Sequence, residues 1–255
     1  MRSGWLALVL AGLSGTAQAI VNVESLRAVD PPEGLSGKLS LSAGGESGTV
    51  HTSSINAGAG VVWRRQAVTN FLTFNYAYGE SLGVKVTDRS FVHARHVRHV
   101  RERTDWELFA QRQHNRFLRL SSRELVGSGA RLTLYDEPSQ DSRAFLGVGA
   151  MYVQERLEER IGTTDGGTSG LWRGNVYLAL NWRTDDRVRL SSTTYWQPAL
   201  TDAGDFRLLE EAALRVRVHG NLDLVTSLNI RHNSHPPQGV ERTEITYRTG
   251  FEYDF

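Results

Sequence analysis

The sequence predicts an all-β protein, an antiparallel transmembrane β-barrel of about twelve strands behind a cleaved signal peptide. Three observations predict it. Apolar and polar residues alternate with period two along almost the whole chain. The first residues have the form of an export signal. The last strand is aromatic on one face up to Phe255.

The N-terminus comes first. Arg2 gives a short positive start, residues 5–13 form an apolar run, and Ala17-Gln18-Ala19 has the small-x-small pattern that a signal peptidase cleaves. The run is too short to anchor the chain, since a spanning helix needs about 20 apolar residues. Residues 1–19 are therefore set aside as signal peptide, 20–33 as a short periplasmic segment, and 34–255 as the barrel.

Strand-like runs follow at 34–45, 50–63, 66–79, 85–100, 104–114, 118–135, 142–157, 170–183, 186–197, 206–219, 221–232 and 241–255. Clusters of Gly, Asp, Asn, Ser and Pro separate them. Alternation is clearest where Leu222, Leu224, Thr226, Leu228 and Ile230 interleave with Asp223, Val225, Ser227, Asn229 and Arg231. Val176, Leu178, Leu180 and Trp182 interleave in the same way with Tyr177, Ala179, Asn181 and Arg183. An even number of strands of about ten residues suits a bacterial outer-membrane barrel.

If the first strand rises from the periplasm, the connections 64–66, 101–104, 136–141, 184–186 and 219–221 lie on that side. The opposite connections, 79–84, 158–170, 197–205 and 233–240, are on the whole longer. Short periplasmic turns with longer outer loops are the usual asymmetry. The same parity puts Trp63, Trp106 and Trp182 beside periplasmic turns, as an aromatic girdle. There an indole can bury its apolar body and keep its N–H in the headgroup layer.

Alternation alone does not separate such a barrel from a soluble sandwich. The ending does. Ile245, Tyr247, Thr249, Phe251, Tyr253 and Phe255 share one face at period two. Arg248, Gly250, Tyr253 and Phe255 resemble the polar-x-Gly-x-x-aromatic-x-aromatic ending of substrates of the barrel assembly machinery. That resemblance implies transient pairing of the last strand with the machinery by β-augmentation.

Composition narrows the function classes. With 29 basic against 28 acidic residues, nothing favours nucleic acid. The chain has no cysteine, and a barrel closed by its own hydrogen-bond ladder needs none.

Three histidines, His93, His96 and His99, fall in the fourth predicted strand. His93 and His99 are about 20 Å apart at ~3.3 Å per residue, and His96 faces the other way. They cannot share one ion, so no metal site is expected. Arg183, Arg215, Arg217, Arg231 and Arg248 fall on the predicted interior with Glu107, Glu211, Asp223, Glu244 and Glu252. A lipid-facing Arg costs about 2–4 kcal/mol at the midplane, so the sheet must turn these rows inward. Mixed signs on bulky side chains favour a braced, mostly occluded lumen over an ion-selective lining.

His232 and Ser234 give the only spelling that reads as catalytic. At i, i+2 they share a strand face about 6.6 Å apart, pointing outward near the outer rim. This resembles the His-x-Ser arrangement of the outer-membrane phospholipase, but His235, Pro236 and Pro237 stand where that enzyme continues Asn-Gly. A nucleophile needs both a base and an orienting group, so a polar loop start is the preferred reading. Gly147 and Gly149 precede no helix and so make no phosphate cradle; they read as close packing within a sheet.

Four segments carry a family resemblance: Glu107-Leu-Phe-Ala-Gln-Arg-Gln113, Arg123-Glu-Leu-Val-Gly-Ser-Gly-Ala-Arg131, Tyr195-Trp-Gln-Pro198 with Asp205-Phe-Arg207, and Pro236-Pro-Gln-Gly-Val240. They resemble the salt-induced outer-membrane protein YdiY family, across nearly the whole mature chain. The resemblance implies an outer-membrane barrel linked to salt or osmotic envelope stress, and it supplies no catalytic residues. His232 and Asn233 depart from it at the outer rim. The sequence thus reads as a monomeric barrel in outer-membrane lipid, without catalysis, cofactor or nucleic-acid partner. A narrow passive channel and a lipid hydrolase built on His232 and Ser234 are the alternatives.

Overall fold

A computed structural model describes residues 33–253. The expected signal peptide, most of the expected N-terminal periplasmic segment and Phe255 lie outside the described residues. Twelve strands follow one another: β1 (Gly34–Glu46), β2 (Thr52–Arg65), β3 (Val68–Ser81), β4 (Val84–Arg101), β5 (Thr104–Asn115) and β6 (Leu120–Glu137). The second half contains β7 (Ser142–Leu157), β8 (Gly167–Arg183), β9 (Val188–Pro198), β10 (Phe206–His219), β11 (Leu222–Asn233) and β12 (Thr243–Tyr253). They form one antiparallel sheet in chain order, each strand paired with its sequence neighbours. Among the described residues no ladder joins β1 to β12.

The turns explain the order. At one end the connections are 66–67, 102–103, 138–141, 184–187 and 220–221. At the other they are 47–51, 82–83, 116–119, 158–166, 199–205 and 234–242, the last three longer than any at the first end. Leu82 and Gly83 both have positive φ, 50° and 77°, the backbone of a tight two-residue hairpin.

The sheet is curled. In a flat sheet β5 and β8 would stand about 14 Å apart at ~4.8 Å per strand. Instead Tyr177 Oη on β8 donates to Glu107 Oε2 on β5 at 3.0 Å. Arg207 on β10 likewise reaches Glu155 on β7, Nη2 to Oε2 at 2.9 Å. The concave face holds the core: Tyr177, Ala179, Tyr195 and Leu209 with Phe145 against them, and Phe109, Met151 and Val153 with Leu125.

Glycines make room for these rings. A Cβ on Gly147 would lie 1.9 Å from the Tyr177 ring, and one on Gly127 would lie 2.5 Å from Phe109. Gly129 and Gly149 face each other across the β6–β7 ladder, so the two backbones carry no side chain there. Large side chains from β5 and β8 thus fill space that small residues on β6 and β7 leave.

Candidate functional site

Ladder register assigns every strand residue a face. The concave face of β4–β11 is a column of polar and apolar layers. Near the end with long connections, Glu155 binds two guanidinium groups: Arg123 Nε donates to Oε1 at 2.6 Å, and Arg207 Nη1 lies 2.5 Å from the same oxygen. Beside it Arg173 Nη2 grips both oxygens of Asp205, at 2.8 and 2.9 Å. Carboxylates and guanidinium groups match as planar forks, which is why arginine serves here.

The aromatic and aliphatic layer lies below. Tyr177 is 2 % exposed and Leu209 0 % exposed. Next come Arg95 and Glu107, paired at 3.4 Å with both side chains buried, and Arg131, whose guanidinium lies 3.7 Å above the Phe145 ring. At the short-turn end a 390 Å³ cavity is lined by residues including Arg183, Arg189, Arg215, Arg217 and Asp223.

All ten charges singled out by the sequence sit on this concave face. Asp223 takes Arg217 Nε at 2.8 Å and Arg215 Nη1 at 3.1 Å, and Arg215 Nη2 reaches Glu252 at 2.5 Å. Glu211 is 3.6 Å from Arg231 and accepts from the Asn229 amide at 2.6 Å. Arg231 stands opposite Glu244 in the β11–β12 ladder, and Arg248 stands opposite Ser227. Arg183 lies 3.6 Å from Asp141. Sequence reasoning missed Arg95, Arg119, Arg123, Arg173 and Arg207 with their carboxylates. The strand ones occupy the same alternating positions as the ten, so period two was the signal available for them. It also missed the buried cluster of Tyr177, Ala179, Tyr195 and Leu209, which alternation alone does not bring together.

A lid of loops covers the end with long connections. Arg119 follows a short 3-10 turn, Arg116–Leu118, with φ 53°, and is 1 % exposed. It donates to Asp165 Oδ1 at 2.7 Å, the Gln238 carbonyl at 2.9 Å, the Glu158 carbonyl at 3.0 Å and Thr163 Oγ1 at 2.8 Å. Gln238 N–H in turn donates to Asp165 Oδ2 at 2.6 Å. One side chain therefore ties three connections together. The Gln238 N–H, and then Arg119, hold the Asp165 carboxyl below the usual carboxylate range.

The convex face is apolar between two aromatic levels. Trp63, Trp106 and Trp182 all lie on it toward the short-turn end, 46 %, 40 % and 39 % exposed. Trp106 differs from expectation: its N–H donates to Ser128 Oγ at 2.9 Å on the neighbouring strand. A hydroxyl one strand away satisfies it, so the headgroup layer is not needed. Tyr152 and Trp172, in edge contact at 5.6 Å, mark the opposite level. Glu210 interrupts the band, its carboxylate accepting from Ser192 Oγ at 2.6 Å and from Thr194 Oγ1.

The histidines do not assemble. His93 is on the concave face between the rings of Phe91 and Phe109, each 6.2 Å away. His96 is on the convex face, 2.8 Å from Asn70 Oδ1, and His99 lies 2.9 Å from Asp105. Among the described residues no group of three or more His, Cys, Asp or Glu could hold a metal ion.

His232 and Ser234 have separate side-chain partners. The strand ends at Asn233, and the Ser234 N–H still donates to the Phe206 carbonyl at 3.0 Å. His232 stacks on Phe206 at 5.3 Å and contacts Thr243 Oγ1 at 2.9 Å. Ser234 Oγ accepts from the Phe206 N–H at 2.8 Å and lies 3.0 Å from His235 Nδ1. Asp205 lies 4.0 Å from that same Nδ1 and is already gripped by Arg173. A base relay needs opposite ring nitrogens for nucleophile and carboxylate.

Of the barrel-assembly residues, Arg248 and Gly250 lie on the concave face and Tyr253 on the convex face opposite Leu222. Phe255 is outside the described residues.

Comparison with known proteins adds one match. The family described as protein of unknown function, DUF481, matches residues 39–255, which covers β2 to β12 entire and most of β1. The chain belongs to the DUF481 family. No curated protein matches it. The DUF481 match covers all four segments that carry the YdiY-like resemblance, and the family's description gives no activity.

Proposed function

We propose that this DUF481 protein is an outer-membrane barrel, closed by pairing β12 with β1, whose lumen is plugged across β5–β10. One observation carries the reading. On β8 the convex face runs Trp172, Gly174, Val176, Leu178, Leu180, Trp182. Ten residues at about 3.3 Å, tilted by about 40°, separate the two indoles by roughly 25 Å along the membrane normal. That is the height of an outer-membrane apolar band between its aromatic girdles. The free edges support it too. β1 and β12 expose Leu35, Leu39, Leu41, Ile245, Tyr247 and Phe251 on the same face, and such edges in water invite aggregation.

The test is fractionation. Mature protein is expected with outer membranes, with heat-modifiable gel mobility. Recovery in the soluble periplasm overturns the reading. We assign no catalysis, because Ser234, His235 and Asp205 meet at one ring nitrogen rather than two. The barrel acts as a monomer, with the assembly machinery as a transient partner. The link to salt or osmotic stress rests on the YdiY-like segments alone. Protein abundance is expected to rise in high-salt medium, and an unchanged level removes that link.

A second reading is a narrow passive channel, favoured by one observation. The concave faces of β1, β2 and β12 carry Ser36, Ser40, Ser42, Gly58, Gly60 and Gly250, which leave space beside the plug.

A further inference from the structure

The turns 66–67 and 102–103 lie side by side at the short-turn end, joined where the His99 N–H donates to the Ala67 carbonyl at 2.8 Å. The rim there is uneven in charge. On the β6–β11 side Arg143 meets Asp136, Arg183 and Arg189 share Asp141, and Arg215 and Arg217 share Asp223. Across β2–β5 the matching stops. Arg65, Arg98, Arg101 and Arg103 are exposed, and none has an ion-pair partner among the described residues. Glu33 accepts the Gln66 N–H at 3.0 Å, and Asp105 lies 2.9 Å from His99. Glu102 alone is left to face the four guanidinium groups.

Register puts two of the four on the convex face. Arg65 and Arg98 both stand opposite Val68, and Arg98 also stands opposite Trp106. Their backbones are thus two strands apart, about 10 Å, with one short side chain between them. Trp63 precedes Arg65 by two residues on the same face, and Trp106 is in edge contact with His96 at 5.9 Å. The arginine pair therefore stands at the margin of the apolar band, beside indoles. Two guanidinium forks around a gap match the oxygens of a phosphate. An indole at that level covers hydrocarbon close to a headgroup. A soluble anion would use the charges and leave the indoles idle, whereas a lipid uses both.

We propose that this rim binds an anionic glycerophospholipid of the periplasmic leaflet, its phosphate between Arg65 and Arg98 and its acyl chains beside Trp63 and Trp106. Arg101 and Arg103, in and beside the turn, add the charge that draws anionic lipid to the site. Such a site exists only if the outer-membrane barrel reading holds.

Tryptophan quenching tests this in the mature full-length barrel refolded into phosphatidylcholine vesicles. A minor fraction of brominated phosphatidylglycerol is expected to quench more than the same fraction of brominated phosphatidylcholine, equivalent to a preference of about 3-fold or more that shrinks with salt. Arg65→Gln with Arg98→Gln should remove most of it, while Arg112→Gln, on the same face toward the other end of β5, should leave it. If the double variant does not insert, Arg101→Gln with Arg103→Gln is expected to lower the preference by about half through lost attraction. Excess glycerol phosphate should not displace the lipid. Protein that does not float with the vesicles overturns the barrel and this site together. Inserted protein that shows no preference, equal loss in Arg112→Gln, an unchanged preference in the inserted variants, or displacement by glycerol phosphate overturns the site alone.

Discussion

Gly147 and Gly250 both sit on the concave face in the body of a strand, and they occupy opposite worlds. A Cβ on Gly147 would strike the Tyr177 ring at 1.9 Å, whereas one on Gly250 would meet nothing within 4 Å. The contrast extends to whole walls. Across β5–β10 arginines, carboxylates and rings interdigitate until Met151, Tyr177 and Leu209 lose nearly all contact with solvent. Along β1, β2 and β12 the concave residues are mostly small or exposed. The lesson is that one sheet combines a densely packed wall with a sparsely packed one. Under the proposed closure, the second gains its remaining hydrogen bonds by pairing β12 with β1.

Substitutions that land on one wall should therefore hurt and their counterparts should not. The largest effect is expected from Glu107→Ala, which removes the carboxylate paired with the buried Arg95 and an acceptor of Tyr177. Breaking such a pair costs about 3–5 kcal/mol. Glu252→Ala on β12 breaks a half-exposed pair and should cost under about 1 kcal/mol. Thermal unfolding of the refolded proteins compares them, and equal losses would erase the distinction between walls.

Gly147→Ala is expected to cost about 1–3 kcal/mol through overpacking. Gly60→Ala and Gly250→Ala should stay within about 0.5 kcal/mol, as substitutions in open space do. A harmless Gly147→Ala would mean that Tyr177 has somewhere else to go. Glu210→Leu tests the convex face. In lipid it should raise stability, by less than the ~2–4 kcal/mol that a cationic side chain costs there. A fall in stability would place that face in water.

The smallest effect is confined to the lid. Asp165 is held below its ordinary value of 3.8, so its contribution is present above that pH and fades as pH falls through the lowered value. Hydrogen exchange in residues 158–166 and 234–242 should speed up as pH falls below about 4, beyond the intrinsic pH effect on exchange. Asp165→Asn should exchange fast at every pH.

Much of the architecture was legible because a sheet with one polar and one apolar face imposes period two. Alternation placed twelve strands within a few residues of those observed, and the turn asymmetry followed from Gly, Asn, Asp and Pro. The facing of Arg215, Arg217 and Asp223 needed only parity. What was not legible depends on neighbours three strands apart. Tyr177 reaching Glu107, or Arg207 reaching Glu155, follows from sheet curvature, which no local pattern encodes. The Arg119 lid joins positions more than a hundred residues apart through a single side chain at positive φ.

Conductance across a planar bilayer tests the central claim most directly. If the β5–β10 wall plugs the lumen, the wild-type barrel should pass almost no current, and a variant with the plug cut back, Tyr177→Ala with Leu209→Ala, should open to steady steps. A large, stable conductance in the wild type would contradict the plug. It would make the glycine and serine wall of β1, β2 and β12 the lining of a working channel.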